Sequence, residues 1–173
     1  MNWWQAAITL LSGAGMAWFY FRMDVSRKSP RRSIRADGKE FQMPDMRFHY
    51  TGEALAEAFT QAGEAGRPLM RRYWRLDFGF IVSFLGVMVM IAFNLTGGQG
   101  WLFGVMGVLA GLRAVLDGGE NGLLLRALRR YPTGGVREGN LAGYVTSAKF
   151  LCLYGWVGLL FYRLFFTAFG IQG

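Results

Sequence analysis

The chain has 173 residues, of which 53% are hydrophobic, and its formal net charge is +8. A single cysteine and a single histidine exclude an intrachain disulfide, a metal site built from several Cys or His side chains and a haem held by two histidines, so no cofactor is expected. The basic residues flank apolar segments long enough to span a bilayer, so membrane topology explains the charge and no nucleic-acid partner is expected.

The first apolar segment, 2–21, has the roughly 20 residues that a helix needs to cross a ~30 Å hydrocarbon core. Trp3 and Trp4 near one end and Trp18 and Tyr20 near the other are typical of side chains at the two membrane interfaces. A cleavable signal peptide is the alternative, but the segment lacks a basic start and has aromatic residues where small cleavage-site residues would stand. We therefore predict a transmembrane helix.

The next segment, 22–50, is rich in Lys and Arg and contains two prolines, so we predict a basic, irregular cytoplasmic loop. Its basic residues fit two interpretations, a determinant of topology and a contact for anionic lipid headgroups or an acidic protein partner. The residues concerned are Arg27, Lys28, Arg31, Arg32 and Arg35.

A short amphipathic helix is predicted at 52–62, on the membrane surface or against the bundle. Thr51 is a suitable N-cap, and four apolar residues fall on one face of the helix. Gly63 and Gly66 are expected to break it. The four apolar residues are Leu55, Ala58, Phe59 and Ala62.

Two further apolar segments are joined by a Gly-rich turn. The segment 77–94 is predicted to cross the membrane, and 95–100 is too short for anything but a tight connection to an antiparallel helix. The third helix is predicted over 101–130, which at about 1.5 Å per residue is about 45 Å long. Its span is placed at 101–121, so the remainder is expected to protrude into the cytoplasm.

A fourth span is predicted at 150–169, after a Gly-rich loop that includes Gly139 and Gly143. Of the 19 Lys and Arg residues, 12 lie within 22–75 and five within 126–149, and this asymmetry predicts that both regions are cytoplasmic and both termini are not. We expect a single integral membrane domain over 1–173. The predicted fold class is all-α, a transmembrane four-helix bundle with a short amphipathic cytoplasmic helix.

The third helix carries a stripe of glycines on one face, spaced by three, four or seven residues. Two of them form a GxxxG pattern, which lets a neighbouring helix approach closely in lipid. The stripe therefore predicts helix packing, either inside this bundle or against a second copy or a partner subunit. This glycine stripe consists of Gly100, Gly104, Gly107, Gly111, Gly118 and Gly122.

Charged and polar residues occupy another face of the same helix. A charge inside lipid costs about 2.5–3.5 kcal/mol, so these groups are expected to face one another or a watery cavity. Arg113 lies one turn before Asp117 and is expected to pair with it, while Asp77 of the second helix reaches the same depth. The cluster fits a structural ion-pair network, a ligand or cation site, or a catalytic site. Its members are Asp77, Arg113, Asp117, Glu120 and Asn121.

Two short motifs resemble a known family. One is Gly63-Glu64-Ala65-Gly66-Arg67 followed by Tyr73 and Asp77, and the other is Leu116-Asp117-x-x-Glu120-Asn121 followed by Leu123, Leu124 and Leu125. Over 50–169 the chain resembles a loosely defined family of small bacterial four-helix inner-membrane proteins with a D-x-x-E-N signature in the third helix and no assigned activity. The resemblance implies bacterial origin and a shared four-helix plan, and it singles out Asp77, Asp117, Glu120 and Asn121 without supplying a reaction. Combined with the charge asymmetry, it predicts a bacterial inner-membrane protein with periplasmic termini. The basic segment before residue 50 departs from the pattern.

Two functional hypotheses follow. The glycine stripe and the basic segment favour a non-enzymatic accessory or assembly subunit of a larger membrane complex, in contact with membrane lipids and with other subunits or itself. The alternative is a protein that binds a small molecule, lipid or cation at the polar cluster, as a transporter or an enzyme. No catalytic or metal-binding residue is assigned, because the sequence has no GxSxG, P-loop or HExxH motif.

Overall fold

The computed structural model describes residues 2–34 and 43–169, with side chains described for all of these except 24–34. No strand occurs in the described ranges. The predicted all-α four-helix bundle is therefore confirmed. Its helices are α1 (Trp3–Ile34), α2 (Gly52–Thr96), α3 (Gly100–Arg130) and α4 (Val136–Ala168), with a short 3-10 helix (Pro44–Met46) between α1 and α2.

Among the described helices, α2, α3 and α4 are long and apolar enough to cross a membrane, so the chain is a membrane protein. The first predicted span, 2–21, is not among these three, because that part of α1 interleaves Gly, Ser, Thr and Gln with its aromatic residues. It nevertheless runs antiparallel to the apolar part of α2. Trp4 packs edge-on against Phe93 with ring centroids 5.7 Å apart, and Phe19 lies against Gly79.

The helix predicted at 52–62 forms the first part of α2. The Thr51 hydroxyl caps it by accepting a hydrogen bond of 3.2 Å from the Ala54 backbone nitrogen, and the four apolar residues predicted on one face are all buried. At Gly63 φ is +63°, a left-handed conformation that favours glycine. The break predicted at Gly63 is therefore confirmed, because this residue forms a kink with non-helical φ and ψ between the helix of 52–62 and the rest of α2. Gly66 lies within the helix that follows.

The prediction of an irregular loop over 22–50 is wrong for its first part, because α1 continues to Ile34. Arg and Lys are good helix formers, so the change from apolar to basic sequence does not end the helix. Only the stretch from residue 43 to Thr51, which includes the short 3-10 helix, is described as a connection.

The predicted Gly-rich loop through Pro132, Gly134, Gly135, Gly139 and Gly143 is confirmed at 131–135, which connect α3 to α4. It is wrong for Gly139 and Gly143, because both lie inside α4. They are needed there for close packing and not for a turn. A Cβ at Gly139 would lie 2.7 Å from the Cα of Gly52, and a Cβ at Gly143 would collide with the carbonyl oxygen of Tyr50. These two contacts bring the start of α2 and the segment before it against α4.

The buried apolar residues form two separate clusters along the bundle. One includes Phe59, Trp74 and Leu124, and the other includes Met88, Met106 and Trp156. Each of α2, α3 and α4 contributes buried polar residues between its parts of the two clusters, at Asp77, at 113–121 and at 146–149 respectively. A layer of polar side chains therefore lies between two apolar layers, and we call it the polar layer.

The start of α1, the α2–α3 turn and the end of α4 lie at one end of the bundle. Trp4 contacts Phe93 near the end of α2, and the Arg163 Nε of α4 donates to the carbonyl oxygen of Leu95 at 3.2 Å. The turn itself is made by glycines with positive φ, of which Gly97 has 70°. The polar layer lies toward the opposite half of the bundle, where α2 begins and α3 ends.

Candidate functional site

All five residues of the predicted polar cluster are buried and belong to the polar layer. Arg113 forms the expected pair within α3, its Nη2 lying 2.7 Å from the Oδ2 of Asp117. Asn121 joins α3 to α2 by donating to the Oδ2 of Asp77, also at 2.7 Å. Glu120 is 0% exposed, so its carboxylate depends entirely on protein partners.

Lys149 of α4 is one of these partners, although it is not a member of the predicted polar cluster. Its Nζ lies 2.8 Å from the Oδ1 of Asp117 and 2.5 Å from the Oε2 of Glu120. The second contact is an ion pair by distance, although its angle is not that of a hydrogen bond. The alternation Arg113, Asp117, Lys149, Glu120 is called the ion-pair chain below. In the sequence, Lys149 stands just before an apolar span and counts only toward the charge asymmetry.

Two hydroxyl groups complete the surroundings of Glu120. Tyr50 donates to its Oε1 at 3.0 Å, and Thr146 donates to the same oxygen at 2.5 Å. Burial raises the pKa of the Tyr50 hydroxyl, so this group stays protonated and remains a donor. Thr146 and Lys149 are three residues apart and therefore lie on one face of α4. This spacing is visible in the sequence and indicates a polar patch on that helix.

Asp45 also reaches the polar layer, from the short 3-10 helix. It is 7% exposed, and its Oδ1 has no hydrogen-bond partner among the described residues. Burial raises the pKa of the Asp45 carboxyl to about 7, and the charge of Glu120 acts in the same direction. The predicted polar cluster does not include Asp45, because this residue lies in the segment predicted to be an irregular basic loop.

A cavity of about 320 Å³ lies beside the polar layer and is lined by several of its side chains. Its wall is partly aromatic and aliphatic, with Phe80, Phe150 and Leu153. Arg113 has its guanidinium 4.3 Å from the ring centroid of Phe84, and its Nε and Nη1 have no acceptor among the described residues. The polar side chains that line the cavity are Asp45, Tyr73, Asp77, Arg113, Asp117 and Lys149.

The arrangement combines buried carboxylates, two cations and an accessible cavity. Carboxylates held close together in a poorly solvated site can bind a cation or exchange a proton. Within the described part of the chain, no group of three or more His, Cys, Asp or Glu side chains is placed to hold a metal ion. The same groups can bind a charged or polar ligand by ion pairing and hydrogen bonding.

The glycine stripe of α3 faces away from the bundle. At five of its six positions, no atom lies within 4 Å of the place that a Cβ would occupy, apart from the helix's own backbone. The exception is Gly118, where the side chain of Phe78 would lie at 3.7 Å. The interpretation of packing inside the bundle is therefore wrong for these five glycines. They are Gly100, Gly104, Gly107, Gly111 and Gly122.

The predicted lipid or partner contact lies outside the described side chains. Arg27, Lys28, Arg31 and Arg32 belong to α1, whose backbone is described to Ile34, and Arg35 lies outside the described residues altogether. Their role stays a prediction.

Comparison of the chain with protein-family models, with curated proteins and with solved structures finds no match. The resemblance of the two motifs to a bacterial membrane-protein family stays a prediction.

Proposed function

We propose that this chain is a multi-pass membrane protein that binds a small charged or polar ligand in the cavity beside the polar layer. The observation that carries the proposal is a set of buried polar atoms without partners among the described residues, Asp45 Oδ1 and two nitrogens of Arg113, on two residues that line that cavity. Each buried polar group left unpaired costs about 1–3 kcal/mol. A ligand with matching groups would offset that cost.

The topology proposed with it has four crossings in a bacterial inner membrane, with both termini periplasmic. Contacts between Trp4 and Phe93 and between Phe19 and Gly79 support α1 as a fourth crossing, since it runs beside the apolar part of α2. The concentration of Lys and Arg at 22–75 and 126–149 supports a cytoplasmic position for that side. On this topology the ligand enters from the cytoplasm.

The test is a ligand screen by thermal unfolding of the protein purified in a mild detergent. A compound that binds only the folded state stabilises it by RT ln(1 + [L]/Kd). The panel contains inorganic cations, inorganic anions, amines and zwitterions. We expect at least one class to raise the midpoint of the wild type, and expect Asp45→Asn and Asp77→Asn, at two carboxylates that line the cavity, to change that rise.

Glu57→Gln is the matched control, because Glu57 is an exposed carboxylate on α2 away from the cavity. It is expected to respond to the panel as the wild type does. If no compound stabilises the wild type, or if folded Asp45→Asn and Asp77→Asn respond like the control, the proposed binding site is refuted.

A second candidate function is an accessory subunit of a membrane complex, favoured by the open glycine stripe. Five glycines of α3 have free space at their Cβ positions, and a helix of a partner subunit or of a second copy fits such a face in lipid. The basic residues of 22–50 would add contacts to anionic headgroups.

Purification in a mild detergent tests this candidate. We expect a co-purifying protein or a homo-oligomer, and expect Gly107→Leu to disrupt it. Gly158→Leu is the control, because Gly158 of α4 is also exposed with nothing within 4 Å of its Cβ position. A monodisperse monomer with no co-purifying protein would count strongly against the subunit role.

A further inference from the structure

The ion-pair chain has no net formal charge. Arg113 contacts Asp117 at 2.7 Å, and Lys149 contacts Asp117 at 2.8 Å and Glu120 at 2.5 Å. Two cations and two carboxylates alternate, so their formal charges cancel. A ligand is not needed to neutralise this part of the polar layer.

Two other carboxylates line the cavity, those of Asp45 and Asp77, and they are not part of the neutral ion-pair chain. Each is 7% exposed, and neither forms an ion pair with a residue in the described part of the chain. Asp77 accepts from the neutral amide of Asn121, and the Oδ1 of Asp45 accepts from nothing among the described residues. Among the described residues no side chain forms an ion pair with these two carboxylates, so a proton or a bound cation would supply the charge that neutralises them.

The cavity suits an organic cation better than a metal ion. Its volume of about 320 Å³ is at the lower end of the usual range for small-molecule sites, about 300–1,000 Å³. Tyr73, Phe80 and Phe150 line it, and aromatic faces attract ammonium groups. No group of three or more His, Cys, Asp or Glu side chains that could hold a metal ion occurs in the described ranges.

Arg113 adds a requirement for the other end of the ligand. Its Nη2 donates to Asp117, but Nε and Nη1 have no acceptor among the described residues, although the side chain is only 9% exposed. Guanidinium nitrogens in one plane suit an oxygen acceptor such as a phosphate, carboxylate or hydroxyl group. A ligand that matches both features carries a positive and an oxygen-bearing group.

We propose that the cavity binds a protonated primary amine on a short chain that also bears an oxygen acceptor, with the ammonium at Asp45 and Asp77 and the oxygen at Arg113. This inference rests on the proposed function and names the ligand class for the same site. The chemistry is shared by two sources, the headgroup of an aminophospholipid and a free zwitterionic amine such as phosphoethanolamine.

The experiment measures binding to the detergent-purified full chain at pH 8 by calorimetry and thermal unfolding. The probes are phosphoethanolamine, glycerol phosphate, which keeps the phosphate without the amine, and propylamine, which keeps the amine without an oxygen. We expect phosphoethanolamine to bind at least tenfold more tightly than either. Similar affinities for all three, or no binding of an amine in any form, would overturn the proposal.

A second arm separates the two sources. Short-chain phosphatidylethanolamine and phosphatidylglycerol differ in the ammonium and share the phosphate. Preference for the ethanolamine lipid without binding of free phosphoethanolamine supports a lipid ligand, and binding of the free zwitterion supports a soluble one. Equal binding of both lipids, together with no binding of the free zwitterion, contradicts the inference.

Variants locate the ammonium. Asp45→Asn and Asp77→Asn keep the side-chain shape and are each expected to weaken amine binding at least tenfold, while Glu57→Gln leaves it unchanged. Unchanged affinity in a folded Asp45→Asn and a folded Asp77→Asn would overturn the assignment. If neither variant folds, the comparison of the three probes on the wild type decides.

The failure of this inference is distinguishable from that of the proposed function. Stabilisation by an inorganic cation or by phosphate alone, changed in Asp77→Asn, would refute the amine and leave a ligand site in place. Absence of any stabilising compound would remove both.

Discussion

Removal of Lys149 is the sharpest test of the ion-pair chain. The variant Lys149→Met keeps the length of the side chain and removes the cation that lies 2.8 Å from Asp117 and 2.5 Å from Glu120. Asp117 retains Arg113, but Glu120, which is 0% exposed, retains only two hydroxyl donors. Breaking a buried ion pair by removing one partner costs about 3–5 kcal/mol. For a chain of this size that is a fall of roughly 6–20 °C in the unfolding midpoint.

The assay is thermal unfolding in mild detergent, with the double variant Lys149→Met with Glu120→Gln as the decisive comparison. Neutralising the stranded carboxylate is expected to restore at least about 1.5 kcal/mol, since contacting residues couple by about 0.5–3 kcal/mol. Arg130→Met is the control, because its ion pair with Glu138 has the Arg side chain 62% exposed and is worth less than about 1 kcal/mol. A double variant as unstable as the sum of the two single variants would refute the reasoning.

Two further predictions concern the segment before α2. Burial raises the pKa of Asp45 from 3.8 to about 7, so its contribution to stability is fully present below pH 3.8 and is lost as the pH rises through 7. From pH 5 to pH 8 the wild type is expected to lose about 3 kcal/mol from this group, and Asp45→Asn is expected to remove that part of the slope in thermal unfolding; an unchanged slope would contradict the assignment. Gly143→Ala is expected to destabilise the fold by about 1–3 kcal/mol, because the added Cβ meets the Tyr50 carbonyl oxygen, whereas Gly158→Ala is expected to be neutral or stabilising by up to about 1 kcal/mol. Equal unfolding midpoints for the two alanine variants would show that the close contact at Gly143 is absent.

The sequence was sufficient to predict the helical bundle and five members of the polar layer. The thickness of the bilayer sets the length that an apolar helix needs in order to span it. The helical repeat places Arg113, Asp117, Glu120 and Asn121 near one another on α3. Asp77 could be added because an antiparallel neighbour brings it to the same depth. These steps need only one helix or two adjacent ones.

The remaining members could not be predicted in the same way, because their roles depend on distant packing. Lys149 before a span has the same pattern as a residue that sets topology. Asp45 and Tyr50 lie outside the helices that carry the cluster, and close contact of Gly143 with Tyr50 brings that segment to α4. Glycines have different structural roles in this chain. Gly143 allows close contact between two segments inside the bundle, whereas Gly107 has no neighbouring helix of the described chain within 4 Å of its Cβ position. Pattern alone does not separate the two.

The polar layer contains both paired and unpaired charges. The sequence leaves a structural network and a ligand site as alternatives, and this layer has residues suited to each of them. A structural network and a ligand site are both consistent with one cluster when different residues serve them. On this view Lys149→Met lowers stability, whereas Asp45→Asn removes an unpaired buried charge and is expected to raise stability at pH 8 while weakening amine binding. Such opposite effects are typical of residues kept for function at a cost in stability. If Asp45→Asn instead destabilises the fold at pH 8 as Lys149→Met does, Asp45 belongs to the structural network and the cavity loses its ammonium partner.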